Sequence, residues 1–411
     1  MRLPLIFSRQ GDILRASPAF RLLFGSTLIS GLGTWIAVVA LVLDVENRTG
    51  SAVWVSALLI ADFLPGIAIG LLLGPLVDRF SRKKLLVGAD LVRLVVFVLL
   101  ALAVSAGQIV ALALVAGIAS GFARPAAYAG LPNLVPAELL PRANSLLRTA
   151  DQLTIMVGTL VGGVVVAASG PDLAYWLNAA SFAVSASLVI RISAGLLQEG
   201  RVASSGHWRD VAEGFAAILR SRPLTTVLVS WSIATVTMAV ANVAEVFLAT
   251  VSFDAGSFGY GLMWAASGLG AVLGALFASS WLERRSMTVV YTSAIALMGL
   301  GDIAAGCSPN VWVAVWCLLL GGIGNATAIV CNSLLVQRGA PDNLRGRVFT
   351  VIMGATSAVL GIGMAVTGPL VDAVGARWAY VIAGVVALVA AATGFVMLRR
   401  EPRHVPEPAT S

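Results

Sequence analysis

The chain has 411 residues, of which 58% are hydrophobic and 11% charged, and its mean hydropathy is +0.93. A soluble domain carries about 25% charged residues on the surface it turns to water, so an ordinary soluble enzyme is excluded, and so is disorder, which needs low hydrophobicity and high charge. The net charge of +7 comes from bases scattered over many loops rather than gathered on one face, so it reports membrane orientation and not nucleic-acid binding.

A helix crosses about 30 Å of hydrocarbon with about 20 apolar residues. The sequence predicts twelve such spans, at 19–43, 52–75, 84–105, 109–131, 148–169, 172–192, 224–250, 258–281, 288–306, 310–334, 350–371 and 378–398. With the N-terminus inside, residues 2–21 and the connections at 79–84, 142–148, 191–222, 284–285, 338–347 and 399–403 carry 23 of the 27 bases, while Arg48 and Arg377 fall outside. Short basic loops stay on the cytoplasmic side, so both termini are expected there. The fold class is an all-α membrane protein of two six-helix bundles, 1–192 and 224–398, with a cytoplasmic linker at 193–223 and a tail at 399–411. In the linker, Trp208, Val211, Phe215, Ile218 and Leu219 recur at helical spacing opposite Arg209, Asp210 and Glu213, which predicts an amphipathic helix on the inner leaflet.

Sliding the chain against itself by 205 residues pairs Asp78 and Arg79 with Glu283 and Arg284, and Pro136 and Arg142 with Pro341 and Arg347. The same offset pairs Gly158, Gly163 and Gly170 with Gly363, Gly368 and Gly375, and Tyr175 with Tyr380. Two parallel repeats related by an axis along the membrane normal place a substrate site between them near the midplane.

The loop Gly74-Pro75-Leu76-Val77-Asp78-Arg79-Phe80-Ser81-Arg82-Lys83-Lys84 resembles the cytoplasmic signature of the major facilitator superfamily, with Ser81 where the second glycine usually sits. The resemblance implies a conformational switch built on Gly74, Asp78, Arg79, Arg82 and Lys83, with Glu283 and Arg284 as their repeats. An aspartate at a positive helix end suits that role, because the attraction is lost when the helices part. The stretches Gly121-Phe122-Ala123-Arg124-Pro125-Ala126, Leu131-Pro132-Asn133-Leu134-Val135-Pro136 and Arg345-Gly346-Arg347-Val348 resemble the drug:proton antiporter branch that holds macrolide and multidrug efflux proteins and the enterobactin exporter. That resemblance implies proton-driven export of bulky amphipathic compounds across a bacterial inner membrane. The fifth span departs from the antiporter signature: Gly158, Gly162 and Gly163 are present, without its proline.

Small residues let membrane helices approach closely. Gly66, Gly70 and Gly74, Gly158 and Gly162, Gly270 and Gly274, and Gly361 with Ala365 form such faces on spans two, five, eight and eleven, the helices that meet across the halves in the family; packing within one half accounts equally well for any single pair. Proton coupling needs a group that changes charge inside the membrane, where each charge costs roughly 3 kcal/mol to insert. Asp62, near the middle of the second span, is the first candidate, with Arg124 as a possible counter-charge. Glu245 is shallower, with Asn242 one turn inward; Asp44 and Asp302 lie near the outer ends, where solvation is expected, and Asp90 lies at a cytoplasmic end. Trp35, Phe63, Asn242, Trp264 and Asn325 are candidates to line an apolar cavity.

Cys307, Cys317 and Cys331 fit no metal or redox spacing and read as packing residues. There is no phosphate-binding G-x-x-x-x-G-K-S/T sequence, and His207 and His404 fall in cytoplasmic segments, so neither nucleotide hydrolysis nor a metal site is expected. The expected partners are a small-molecule substrate and the bilayer, with no nucleic acid and no cofactor, the proton gradient being the energy source; the chain is expected to act as a monomer and not as an enzyme. An importer or facilitator of the same fold, and a non-transporting receptor or scaffold, remain as alternatives.

Overall fold

The computed structural model describes residues 13–14, 17–72, 80–197 and 207–399, and among them there is no strand. The helices are α1 Pro18–Thr49, α2 Ala52–Leu72, α3 Arg82–Leu100, α4 Ala106–Gly130, α5 Leu140–Ser169 and α6 Pro171–Ile190. A linker helix, His207–Arg220, leads to α7 Arg222–Ser252, α8 Gly256–Arg284, α9 Met287–Gly306, α10 Val311–Gly339, α11 Arg345–Val374 and α12 Ala376–Arg399. Eleven of these are long and apolar enough to cross a membrane. The remaining one, α3, is long enough but carries Asp90 and Arg93 in its length.

Local chemistry sets the ends. Ser17 accepts from the Phe20 amide with Pro18 in the first turn, and Ser286 and Asn310 cap α9 and α10 in the same way. Gly170 and Gly375, one repeat apart, have φ of 75° and 82° and turn α5 into α6 and α11 into α12, a conformation a side chain would strain. Several helices overrun the predicted spans: α5 begins at Leu140 and not near 148, because hydropathy marks only the part in hydrocarbon while the helix continues past Arg148 and Arg142. In α3 the opposite holds. It stops at Leu100, five residues before the predicted end, because Ser105 caps α4 by accepting from the Gln108 amide. Two π turns, Val227–Trp231 and Leu248–Ser252, interrupt α7, and hydropathy carries no sign of them.

The contacts repeat. In the first half α1 packs on α5 and α6, α2 on α4, and α3 on α4 and α6; in the second, α7 packs on α11 and α12, α8 on α10, and α9 on α10 and α12. The halves meet where α5 packs on α8 and α2 on α11, the same contact twice. Large apolar side chains such as Val95, Leu99, Trp312, Trp316, Ile362 and Trp378 stand exposed around the bundle, a surface suited to lipid and not to water.

The linker helix departs from its prediction. Asp210 pairs with Arg347 at 2.9 Å and Glu213 also bonds Arg347, so the acidic side faces the start of α11 and not water. Gly214 sits against the Arg347 backbone, and Ile218 is buried while Phe215 and Leu219 stay exposed. The predicted helix is present, with its acidic side docked by charge onto α11 and Phe215 and Leu219 left facing outward.

Candidate functional site between the halves

Three of the predicted cavity residues come together. The Trp35 ring on α1 lies 6.4 Å from Phe63 on α2 and 5.9 Å from Trp264 on α8, which in turn meets Tyr260 edge-on at 6.5 Å. This cluster joins side chains of both halves, and its rings are packed at distances where aromatic pairs attract. The Trp264 indole N–H and the Asn325 carbonyl oxygen are buried without hydrogen-bond partners among the described residues. Buried polar atoms are normally satisfied, so these two are available to a ligand. Asn242 is half-buried on α7.

The helix ends divide into a basic end, where Arg82, Lys83, Arg142, Arg284 and Arg347 lie, and a far end. Around the far end α1 is buried on every side from Ala37 to Glu46, and α7 from Val243 to Ala249, whereas α1 residues from Phe24 to Ile36 are mostly half-buried. The far end is closed by two equivalent contacts. A Cβ at Gly163 would lie 2.7 Å from the Ser257 carbonyl and 3.0 Å from the Gly261 Cα, and one at Gly368 would lie 2.7 Å from Ser56 Oγ and 2.8 Å from the Val53 Cα. Gly163 and Gly368 are one repeat apart, as are Ser56 and Gly261. The four helices meet across the halves, but among the described glycines of the predicted faces Gly66 abuts α4, Gly158 and Gly162 abut α1, and Gly270 and Gly274 abut α10, packing within one half, while Gly361 lies beside Leu64 of the other half. Polar bonds complete the closure. Asp372 on α11 accepts from the Ala52 amide at 2.7 Å and from Ser51 Oγ at 2.9 Å, capping α2 from the other half, and Thr250 donates to Glu46 at 3.1 Å. Replacing Asp372 by alanine removes a cap worth about 1 kcal/mol. The expected result is roughly fivefold faster labelling, by an impermeant thiol reagent, of a cysteine placed at Ser56.

Of the charged candidates, Asp62 sits mid-helix on α2 next to Phe63, and the α4 residue Gly117 packs against its backbone. Among the described residues it makes no hydrogen bond, and the charge that acts on it is Arg93 on α3. Arg93 is not among the residues that the sequence singles out, and Asp90 is not at a solvated end. Instead Arg93 bonds Asp90 at 2.5 Å and lies 4.3 Å over the Phe182 ring, while Ser185 donates to Asp90 at 2.6 Å and contacts Ser26 at 2.9 Å. Helical spacing of three residues makes the pair visible in the sequence; its burial depends on α6. Removing one partner of a buried pair strands the other, at about 3–5 kcal/mol. Asp90→Ala is therefore expected to lower the thermal midpoint of the purified protein far more than Arg209→Ala, which breaks an exposed pair on the linker helix.

The Arg124 side chain, and Gly74, Asp78 and Arg79 of the switch loop, lie outside the described residues. Lys83 donates to the carbonyls of Ile190 and Ile192 at 2.6 and 2.7 Å, and Arg82 to that of Leu197 at 3.1 Å. These two bases therefore hold the start of α3 to the chain leaving α6. Glu283 and Arg284 are exposed at the end of α8.

Glu245, Asp44 and Asp302 are not solvated as their depth predicts. Glu245 is 4% exposed, Asp44 5% and Asp302 6%, because packing of α1 on α6, of α7 on α11 and α12, and of α9 on α10 and α12 covers positions that depth alone would place at the interface. Asp44 is satisfied by Arg48 at 2.6 Å and Tyr175 at 3.0 Å. Glu245 leaves Oε1 without a partner.

A family model described as a transmembrane secretion effector matches residues 14–406. The chain is 28% identical over 380 residues to the multidrug efflux pump Tap of Mycolicibacterium fortuitum, covering 88% of this chain and 91% of that one. It is 21% identical to macrolide efflux protein A of Streptococcus pyogenes, covering 89% and 92% of the two chains. In fold it matches a bacterial homologue of the iron transporter ferroportin in an inward-facing state, with a TM-score of 0.74, 14% identity and coverage of 93% and 99%.

Proposed function

Because this chain belongs to the transmembrane secretion effector family of major facilitator transporters, we propose that it exports bulky amphipathic molecules, of drug, macrolide or siderophore-like kind, in exchange for protons. The basic end faces the cytoplasm of a bacterium, as retention of positive loops requires, and the halves at 1–192 and 224–398 rock about the site between them.

The observation that carries this reading is the pairing of a sealed far end with an aromatic cluster contributed by both halves. A bulky apolar compound entering from the basic end meets Trp35, Phe63 and Trp264, where ring stacking and a few unsatisfied polar atoms hold varied ligands without demanding one shape. Parting of α5 from α8 and of α2 from α11 then releases it on the other side. Asp62, beside Phe63, takes the proton. No cofactor enters; the gradient supplies the energy.

The test is transport in proteoliposomes with an imposed pH gradient, using ethidium as a cationic probe and erythromycin as a macrolide. Accumulation against the probe's own gradient, in the direction opposite to proton flow, is the expected result. Movement of the probe in the same direction as protons makes the chain an importer, and no gradient-driven movement of either compound removes the exchange reading.

A further inference from the structure

The pseudo-twofold relation between the halves exposes a difference. In the first half Tyr175 donates to Asp44 at 3.0 Å, Arg48 neutralises that carboxylate at 2.6 Å, and Phe97 packs its ring 6.4 Å from Tyr175. One repeat later Tyr380 stands in the place of Tyr175, Asp302 in that of Phe97, and Phe253 in that of Arg48. The second half has thus gained a carboxyl and lost a base. Tyr380 lies on α12, on which both α7, with Glu245, and α9, with Asp302, pack. The base of this corner, Arg377, is spent elsewhere: it donates to the carbonyls of Ser308 at 2.6 Å and of Gly306 and Ser252 at 3.3 Å, with its guanidinium 4.8 Å over Phe253. Asp44, Glu46 and Asp372 are likewise engaged, with Arg48 and Tyr175, with Thr250, and with the start of α2.

Glu245 and Asp302 are each more than nine-tenths buried, and Tyr260 and Tyr380 are each 1% exposed. Glu245 Oε1 and the Tyr380 hydroxyl are both buried without hydrogen-bond partners among the described residues. Neither carboxyl is bonded to a base, and a buried carboxylate without a bonded partner is costly to keep charged. We propose that Glu245 and Asp302, on the two helices that flank Tyr380 of α12, form a second proton-binding site, separate from Asp62, that holds one proton with Tyr380 and Tyr260 as its polar lining. The proton comes from far-side water when the contacts of Gly163 and Gly368 part, converts one carboxylate to the acid, and leaves by the same bond breaking. The role in transport rests on the exchange reading; the occupancy of the site does not.

Infrared spectroscopy of the full-length purified protein tests it, through the carboxylic-acid C=O stretch at neutral pH. Measurements are made in an Asp62→Asn background, so that Asp62 does not contribute, with choline or sodium chloride as the salt. The expected result is an acid band that Glu245→Gln and Asp302→Asn each abolish or shift and that sodium leaves alone. A band unmoved by either substitution, or one removed by sodium, overturns the proposal, the latter making the corner a metal-cation site. Should either variant fail to fold, Tyr380→Phe keeps both carboxyls and is expected to shift the same band; an unmoved band again overturns it. If uphill transport is unaffected by Asp62→Asn while the band responds as expected, the assignment of Asp62 fails and the second site stands.

Discussion

Gly163→Val is expected to hold the protein open at its far end and to lower turnover at least tenfold. A Cβ there would meet the Ser257 carbonyl at 2.7 Å and the Gly261 Cα at 3.0 Å, and both are backbone atoms that no rotamer change can move aside. The branched side chain must therefore push α5 from α8. Overpacking of a tight contact costs about 1–3 kcal/mol, roughly a 5- to 150-fold shift in the balance between closed and open states, and it acts only where the contact exists. The state with the far end parted has no such clash, so the cost falls on one side of the transport cycle. The measurement is labelling by an impermeant thiol reagent of a cysteine at Ser56, which is buried in the closed state. Cys307, exposed near the same end, is first replaced by serine in all proteins compared. Faster labelling together with slower transport is the expected pair of results. Gly158→Ala is the control: its Cβ would meet Trp35 and Leu32 of the same half, so it is expected to reduce stability without speeding the label. Unchanged labelling in Gly163→Val would show that the contact does not gate the far end.

The same contact separates what residue order can express from what it cannot. An offset of 205 residues pairs Gly163 with Gly368 and Tyr175 with Tyr380 from the amino-acid order alone, because a repeat that folds twice must solve the same packing problem twice. Gly170 and Gly375 are visible in the same way, and both adopt the positive φ that only glycine takes easily. Spacing of four on a helix, by contrast, announces a smooth face without saying which neighbour it meets. Gly270 and Gly274 admit the backbone of α10 within their own half, and the cross-half approach belongs to Gly163 and Gly261. Depth is similarly silent about rotation: a rise of about 1.5 Å per residue puts Glu245 near the interface, but whether water reaches it depends on how α11 and α12 pack around α7. The pairing of Arg347 with Asp210 and Glu213 spans more than a hundred residues, and an acidic helical face facing water has the same sequence signature as one facing a base. The aromatic candidates are more legible. Trp35, Phe63 and Trp264 sit at similar depth on helices next to the interface, so their proximity follows once the two bundles face each other.

Asp62→Asn is expected to abolish uphill export while leaving downhill movement of the same compound. One proton exchanged per substrate against a gradient of one pH unit supports about tenfold accumulation, since a pH unit corresponds to about 1.4 kcal/mol. An amide of the same size keeps the contacts of the carboxyl but cannot change charge, so it cannot tie substrate movement to that gradient. The position suits the role: Asp62 adjoins Phe63 of the aromatic cluster, and Arg93, the base acting on it, is already bonded to Asp90. Asp62 makes no hydrogen bond among the described residues, whereas Asp90 is held by Arg93 and Ser185. Proteoliposomes preloaded with ethidium separate the two functions, because efflux down its own gradient needs no proton while accumulation does. Accumulation reduced to the level of protein-free vesicles, with efflux within about twofold of wild type, assigns Asp62 to coupling. Equal loss of both would make it a structural residue of α2, and unchanged accumulation would move the coupling proton elsewhere, with Glu245→Gln and Asp302→Asn the next variants to compare in the same vesicles.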